Sequence, residues 1–375
     1  MCHSGRIADL RIPGVTTTIL CAGALALPGG SDDDTRRTLL AHHAPREDGA
    51  TARLLARARA PGLRSDDALV PRELPDEAWL RARFAPATGD TIAAFAMRPG
   101  GETPRLLLRP VHLQVGLDTL VLSLPAAGEI DADEAQALAE TANRQFGDDG
   151  LIWSPETPQA WTLQATNDEG RARIAAWAKL HCRSARMVAG RRIDAWQPEG
   201  EAARSWRALV NELQMLWHEH PVNEARVRAG RAALNSVWLE GSCTRAGRRG
   251  FDAVITSDDA LAGLALSAGS EVSAVPAEAT PDDFIRFAAI QEDAETLLLD
   301  PGWWRIAVAD GDTEAWQQAW DKLDTLIERL TGAGDPPETL VLGGERDLLE
   351  FRRRPSDLWA LWRKRRLAEL LAAHR

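Results

Sequence analysis

Hydrophobic positions along the chain recur with two periods, and the period changes from segment to segment. Thr16 to Cys21 is a β-branched apolar run suited to a buried strand. Helices are expected around Asp34–Leu40, Ala52–Arg59 and Asp76–Phe84, and a strand near Thr91–Met97. Arg105–Gln114 and Leu117–Leu124 read as two strands. Asp131–Phe146 reads as a helix with Ala135, Leu138, Ala139 and Ala142 on one face. Leu151–Trp153 and Ala160–Gln164 complete a β-β-α-β-β unit. Glu201–Glu219 has the clearest helical pattern, with Trp206, Leu209, Val210, Leu213, Leu216 and Trp217 in one stripe.

Beyond residue 250 the rhythm becomes strand–helix–strand. Ala253–Thr256 and Glu271–Val275 flank a helix over Asp258–Ser267. Thr296–Leu299 and Trp304–Ala309 read as apolar strands and Thr313–Leu330 as a long amphipathic helix. Thr339–Leu342 and Asp347–Arg352 flank Gly343-Gly344, a hairpin pattern. Ser356 is placed to cap a last helix reaching about Ala373. Such alternation predicts an α/β sheet.

Composition narrows the function. The 375 residues suffice for two lobes, and 45% hydrophobic with 26% charged residues is an ordinary globular balance. A net charge of -11 argues against a general nucleic-acid binder or a partner of anionic membranes. Cys2, Cys21, Cys182 and Cys243 form no CxxC, so neither a zinc knuckle nor a disulfide framework is expected, and a cytoplasmic location fits. Fourteen Trp accompany no Tyr, which suggests Trp at the half-buried positions Tyr usually takes. The run Val15–Leu27, preceded by Arg6 and Arg11 and carrying Ala24-Leu25-Ala26, reads either as a leader or as a buried first strand. No segment is apolar enough to span a bilayer.

The densest polar chemistry lies in His220-Pro221-Val222-Asn223-Glu224-Ala225-Arg226, Gly230 and Asn235-Ser236-Val237-Trp238. Pro221 disfavours helical geometry at His220, so the stretch reads as a passage from helix through loop to strand. Arg226 is suited to bidentate pairing with a phosphate or carboxylate. His220, Asn223 and Asn235 would add hydrogen bonds, Trp238 an apolar wall, and His112 a further polar group. The structural alternative has these residues tying the passage together, with the asparagines bonding loop backbone.

Other motifs favour structural readings. Ser257-Asp258-Asp259 opens a helix as a cap and dipole complement, although paired carboxylates at a strand end could hold a divalent ion. Ser31-Asp32-Asp33-Asp34 reads the same way. Ser267 ends a helix rather than forming a nucleophile elbow. His218 and His220 are two apart, unlike an i, i+4 metal pair. The basic residues Arg352–Arg354 and Arg363-Lys364-Arg365-Arg366 read as a solvated helix face, with nucleic-acid contact as the alternative and a protein partner as the interaction reading of the C-terminal helix.

The block from Asn211-Glu212-Leu213-Gln214-Met215 through His220-Pro221-Val222-Asn223, Arg226, Gly230, Asn235-Ser236-Val237-Trp238 and Gly241 resembles bacterial RpfE-type regulatory proteins, which are phosphoglycerate-mutase-like. Pro110-Val111-His112-Leu113, Leu54–Ala58 and Asp258–Ala265 extend the likeness. More remotely it is similar to archaeal-type cofactor-independent phosphoglycerate mutases. The resemblance implies an alkaline-phosphatase-like α/β core sheet with helices on both faces and an inserted smaller α+β cap. The divisions would be a flexible extension over 1–14, a core over 15–103 and 236–375, and a cap over 104–235.

Those enzymes carry two metals and a nucleophilic serine. This chain has Cys21-Ala22-Gly23 where they have an Asp-Gly ligand. It has Ala309-Asp310-Gly311-Asp312 where they need Asp and His, and no histidine between His220 and His374. Arg109 stands where closer relatives have Asp, and Glu240 and Ser242 interrupt a Trp- and Gly-rich segment. The expectation is a non-catalytic regulatory or ligand-binding protein of this fold, its metal centre lost, with no catalytic residue, metal or cofactor assigned. Its ligand would be a small phosphorylated or carboxylate molecule. The alternative is a divergent metal-dependent phosphomutase or phosphatase.

Overall fold

A computed structural model describes residues 15–26, 46, 48–58, 62–65, 71–86, 91–97, 104–116, 119–126, 128–243, 247–291, 293–334, 336–354 and 357. The expected extension over 1–14, the helix over Asp34–Leu40, the Ser31–Asp34 run, the final helix from Ser356 and the Arg363–Arg366 cluster lie outside these residues. The chain divides into two compact units, Met1–Trp79 with Arg249–Arg375, and Leu80–Arg248.

The first unit is built on a seven-stranded sheet. Its strands are β1 (Thr16–Cys21), β2 (Gly62–Ser65), β8 (Ala253–Thr256), β9 (Glu271–Ala274), β10 (Thr296–Asp300), β11 (Thr339–Gly343) and β12 (Asp347–Arg352), in the order β2-β12-β11-β1-β10-β8-β9. β1 is central and runs parallel to β10 and β11, with Thr18 opposite Leu298 and Thr339. β12 returns antiparallel, giving the hairpin expected at Gly343-Gly344. The middle strands are short, mostly apolar or β-branched runs, buried apart from half-buried Thr16 and Thr296 at the starts of β1 and β10, as in sheets covered on both faces. The apolar run at Val15–Leu27 therefore supplies the central strand.

Four helices pack into this unit's core: α1 (Ala50–Arg57), α9 (Pro281–Ala289), α10 (Trp303–Asp310) and α11 (Thr313–Gly332). α8 (Asp259–Ser267) joins β8 to β9. The expected strand over Trp304–Ala309 is instead helix α10. Gly302, at φ +70°, turns the chain out of β10, and buried Trp303, Trp304 and Ala307 face the core. α9 starts from a capping box of Thr280 and Asp283 with Pro281 in the first turn.

The chain enters the second unit through α2 (Pro75–Phe84). There β3 (Leu106–Val115) pairs with β4 (Leu120–Ser123), β6 (Ala160–Ala165) and β7 (Ser236–Ser242), and β5 (Leu151–Thr157) pairs with β6. α3 (Ala132–Phe146), α4 (Asp168–Trp177), α5 (Ala185–Val188), α6 (Ala203–His218) and α7 (Pro221–Arg228) complete it. The strand expected near Thr91–Met97 is a 3-10 helix over Ala93–Met97. The Trp residues are more buried than the half-buried expectation. Trp161 meets Trp217 edge-on at 5.7 Å, and Trp177 meets Trp206 at 5.5 Å.

Candidate functional site

The polar block of the second unit is mostly helix. His220 is extended, as the following proline requires, and forms the N-cap of α7, with Pro221 in its first turn. His220 Nδ1 accepts from the Val222 amide at 3.2 Å, so the ring proton sits on Nε2, 3.0 Å from Thr141 Oγ1. Burial, aided by the charge of Arg144, lowers the pKa of His220 and favours this neutral form. Gly230 (φ +73°) makes the turn that ends the helix.

Asn223 is buried and fully engaged. Its Nδ2 donates to Trp217 O and Leu234 O at 2.9 and 3.0 Å, and its Oδ1 accepts from Leu234 N at 2.8 Å. Asn235 grips Leu113 of β3, accepting from its N–H at 2.7 Å and donating to its carbonyl at 3.0 Å. His112 Nδ1 lies 2.9 Å from Ala233 O. His112, Asn223 and Asn235 are thus gathered on the 233–235 turn. Trp238 is directed elsewhere, donating from its indole to Arg183 O at 2.7 Å.

Arg226 does not present a free guanidinium to an outside anion. Its side chain is 0% exposed. Nε donates to Ala232 O at 2.8 Å, Nη1 to Glu134 Oε2 at 2.7 Å and to Glu129 O at 3.1 Å, and Nη2 to Glu129 Oε1 at 2.8 Å. Arg231 reinforces Glu134 at 2.6 Å. The anions that pair with Arg226 are the protein's own, Glu129 before α3 and Glu134 in its first turn. A groove of about 590 Å³ remains beside α7, lined by Trp217, His218, Glu224, Arg228 and Asn235 among others.

Two unusual residues prove to be partners. Arg109 Nε donates to Glu240 Oε1 at 2.7 Å across β3 and β7, and the Ala185 amide at the start of α5 donates to Glu240 Oε2 at 3.1 Å. Burial raises the Glu240 carboxyl pKa, more than Arg109 and the Ala185 amide lower it. Arg109 and Glu240 are therefore each other's charge partner.

A second constellation, in which the sequence marked Asp258 and Cys21 but not Asp300 or Arg305, lies in the first unit at the carboxyl ends of the parallel strands, where open α/β sheets form their sites. Asp300 ends β10 and is fully buried. Arg305, in the first turns of α10, holds it bidentately, Nη1 to Oδ1 at 3.0 Å and Nη2 to Oδ2 at 2.7 Å. The Thr256 hydroxyl at the end of β8 donates to Asp300 Oδ2 at 2.7 Å, and Arg305 Nε is 3.5 Å from Asp258 Oδ2. Burial raises the Asp300 carboxyl. Arg305 opposes that rise, and Asp258 adds to it. Cys21 at the end of β1 is buried, which raises its thiol well above its usual pKa, with Asp300 contributing. Asp258, rather than Ser257, caps α8 through Leu261 N, and Ser257 donates to Pro301 O. Asp310 and Asp312, which a strand would have placed at its end, sit at helix ends, and Asp312 caps α11. Among the described residues, no three His, Cys, Asp or Glu side chains converge to hold a metal ion.

No family model matches the chain. Part of it is similar to curated proteins. A 2,3-bisphosphoglycerate-independent phosphoglycerate mutase of Methanosarcina acetivorans is 27% identical over 158 residues, 40% of this chain and 38% of that protein. A probable 2,3-bisphosphoglycerate-independent phosphoglycerate mutase of Geobacter sulfurreducens is 26% identical over 191 residues, 48% of this chain and 45% of that one. The matched segment spans less than half the length of these relatives. The solved structure of the PH0037 protein from Pyrococcus horikoshii superposes with a TM-score of 0.52 at 11% identity, covering 90% of this chain and 88% of the other. The chain therefore has a mixed α/β fold shared with a solved structure, and a low-identity likeness to phosphoglycerate mutases. Among the described residues, no helix is long and apolar enough to cross a membrane.

Proposed function

We propose that this chain is a non-catalytic regulatory or ligand-binding protein, built on a phosphoglycerate-mutase-like fold whose metal centre has gone. Arg305 carries this reading: its guanidinium lies across Asp300 and Asp258 at the carboxyl ends of β10 and β8. Metal-assisted phosphoryl transfer needs carboxylates open to cations that neutralise the phosphoryl group. Here the Asp300 carboxylate is already neutralised by a side chain, and the thiol at the end of β1 is held protonated. With Arg305 seated on it, that donor set is closed to a divalent metal. The regulatory role follows the likeness of the 211–241 block to RpfE-type proteins. With Arg226 internally paired, the groove bearing His218 and Arg228 is where we place a small phosphorylated or carboxylate ligand.

The names of the curated relatives favour a second reading, a divergent phosphoglycerate mutase. Interconversion of 2- and 3-phosphoglycerate by the full chain, assayed with manganese and with chelator, separates the two. We expect no turnover under either condition, and chelator-sensitive turnover overturns the non-catalytic reading. The groove is tested by titrating 3-phosphoglycerate against tryptophan fluorescence, because Trp217 is on its wall. The response should be saturable and diminished in Arg228→Ala. A flat titration removes the ligand from the proposal.

A further inference from the structure

We infer that Arg305 is an internal substitute for a metal cation, seated in an oxygen shell that would take a divalent ion if the guanidinium were removed. This rests on the mutase-like reading above and goes further, because it assigns the charge at the sheet edge to one side chain.

Three observations converge on the seat. Its oxygens come from separate elements: the Asp300 carboxylate from β10, the Asp258 carboxylate from the start of α8, and the Thr256 hydroxyl from β8. These are hard oxygen donors of the kind that bind magnesium or manganese. The occupant is nearly enclosed, the Arg305 side chain being 12% exposed. The backbone has also been opened to admit it. At Gly302 an added Cβ would stand 2.5 Å from Ser257 Oγ and 3.0 Å from Arg305 Nη2. Gly302 also has φ +70°, a conformation other residues adopt at a cost. Glycine therefore both turns the chain into α10 and leaves room for the guanidinium. A fully buried carboxylate at this point is unfavourable without a cation, and the fold provides one covalently five residues further on.

The test compares the parent chain, Arg305→Ala, Asp300→Asn and the double variant Arg305→Ala with Asp300→Asn. Each is dialysed against manganese chloride, washed, analysed for metal and melted with and without the ion. The parent should retain no manganese, and its melting temperature should be indifferent to it. Arg305→Ala should melt lower, retain roughly one ion per chain and regain several degrees saturably, on the order expected when a ligand binds only the folded state. The double variant should do neither. Folded Arg305→Ala that ignores manganese refutes the substitution, as does a parent that holds one ion and loses it in Asp300→Asn. If Arg305→Ala is insoluble, it is refolded from urea. Recovery that depends on manganese supports the inference, and equal or no recovery with and without the ion sinks it. Failure here leaves the turnover result of the parent untouched, so the two readings fall separately.

Discussion

Replacing Arg226 with alanine tests whether the histidine–asparagine–arginine block is scaffold or site. The substitution removes four hydrogen bonds, two of them to carboxylates. Deleting one member of a buried ion pair costs about 3–5 kcal/mol, chiefly because the remaining charge is stranded. Here the stranding is incomplete. The Glu129 side chain is 30% exposed and can recover water. Glu134 keeps Arg231 at 2.6 Å. The lower end, about 3 kcal/mol, is therefore expected, which corresponds to roughly 6–12 °C of melting temperature for a unit of this size. Differential scanning calorimetry of the full chain reads it as a shift of one transition, since two units can unfold separately. Glu134→Gln should shift the same transition in the same direction. A shift of Arg226→Ala below about 2 °C would refute the scaffold assignment, because it corresponds to less than about 1 kcal/mol. A lost 3-phosphoglycerate response in that stable variant would then return Arg226 to the binding site.

Two further outcomes rest on ion and hydrogen-bond geometry. Arg109→Met leaves Glu240 buried without its cation and should destabilise by about 3 kcal/mol, whereas Arg109→Met with Glu240→Met should return to within about 1 kcal/mol of the parent. Equal losses in the single and double variants, measured by urea denaturation, would show that the pair is not coupled. Asp252 accepts from the hydroxyl and amide of Thr296 and from the Glu295 amide, which hold its carboxyl below the usual range, the Thr296 hydroxyl foremost. Its stabilisation is present above the unfolded value, about 3.9, and is lost as pH falls through the lower folded value. Stability of Asp252→Asn should accordingly fall less steeply than the parent's on acidification below about pH 4, and parallel profiles would remove Asp252 from the account.

Much of the first unit was legible because its strands are continuous apolar runs and α11 carries a long amphipathic pattern. The same logic misread Trp303–Asp310, since a short apolar run does not distinguish a buried strand from a buried helix. Gly302 was the available clue: a positive-φ turn directly after a strand separates that strand from the next element. α9 went unseen although Thr280, Pro281 and Asp283 spell out a helix start. α4 is weakly amphipathic and offered little pattern. The polar block was found, but its residue types suit ligand shells and turn scaffolds equally. Only the positions of Glu129 and Glu134, almost a hundred residues before Arg226 in the chain, decided which anion it holds. Asp300 and Arg305 escaped because their pairing spans a strand end, a turn and a helix start, for which no sequence period exists.

The grip of Asn235 on Leu113 has a consequence for association. β7 begins at Ser236 and its pairing with β3 ends at Val111, so the Leu113 amide and carbonyl lie beyond the last backbone partner on that side. Strand groups left without a backbone partner are templates on which another strand can add. The Asn235 carboxamide supplies one acceptor and one donor in their place, acting as an extra rung made from a side chain. An asparagine whose residue type suits a ligand shell thus occupies the backbone groups of one rung that β7 does not reach, without lengthening the backbone.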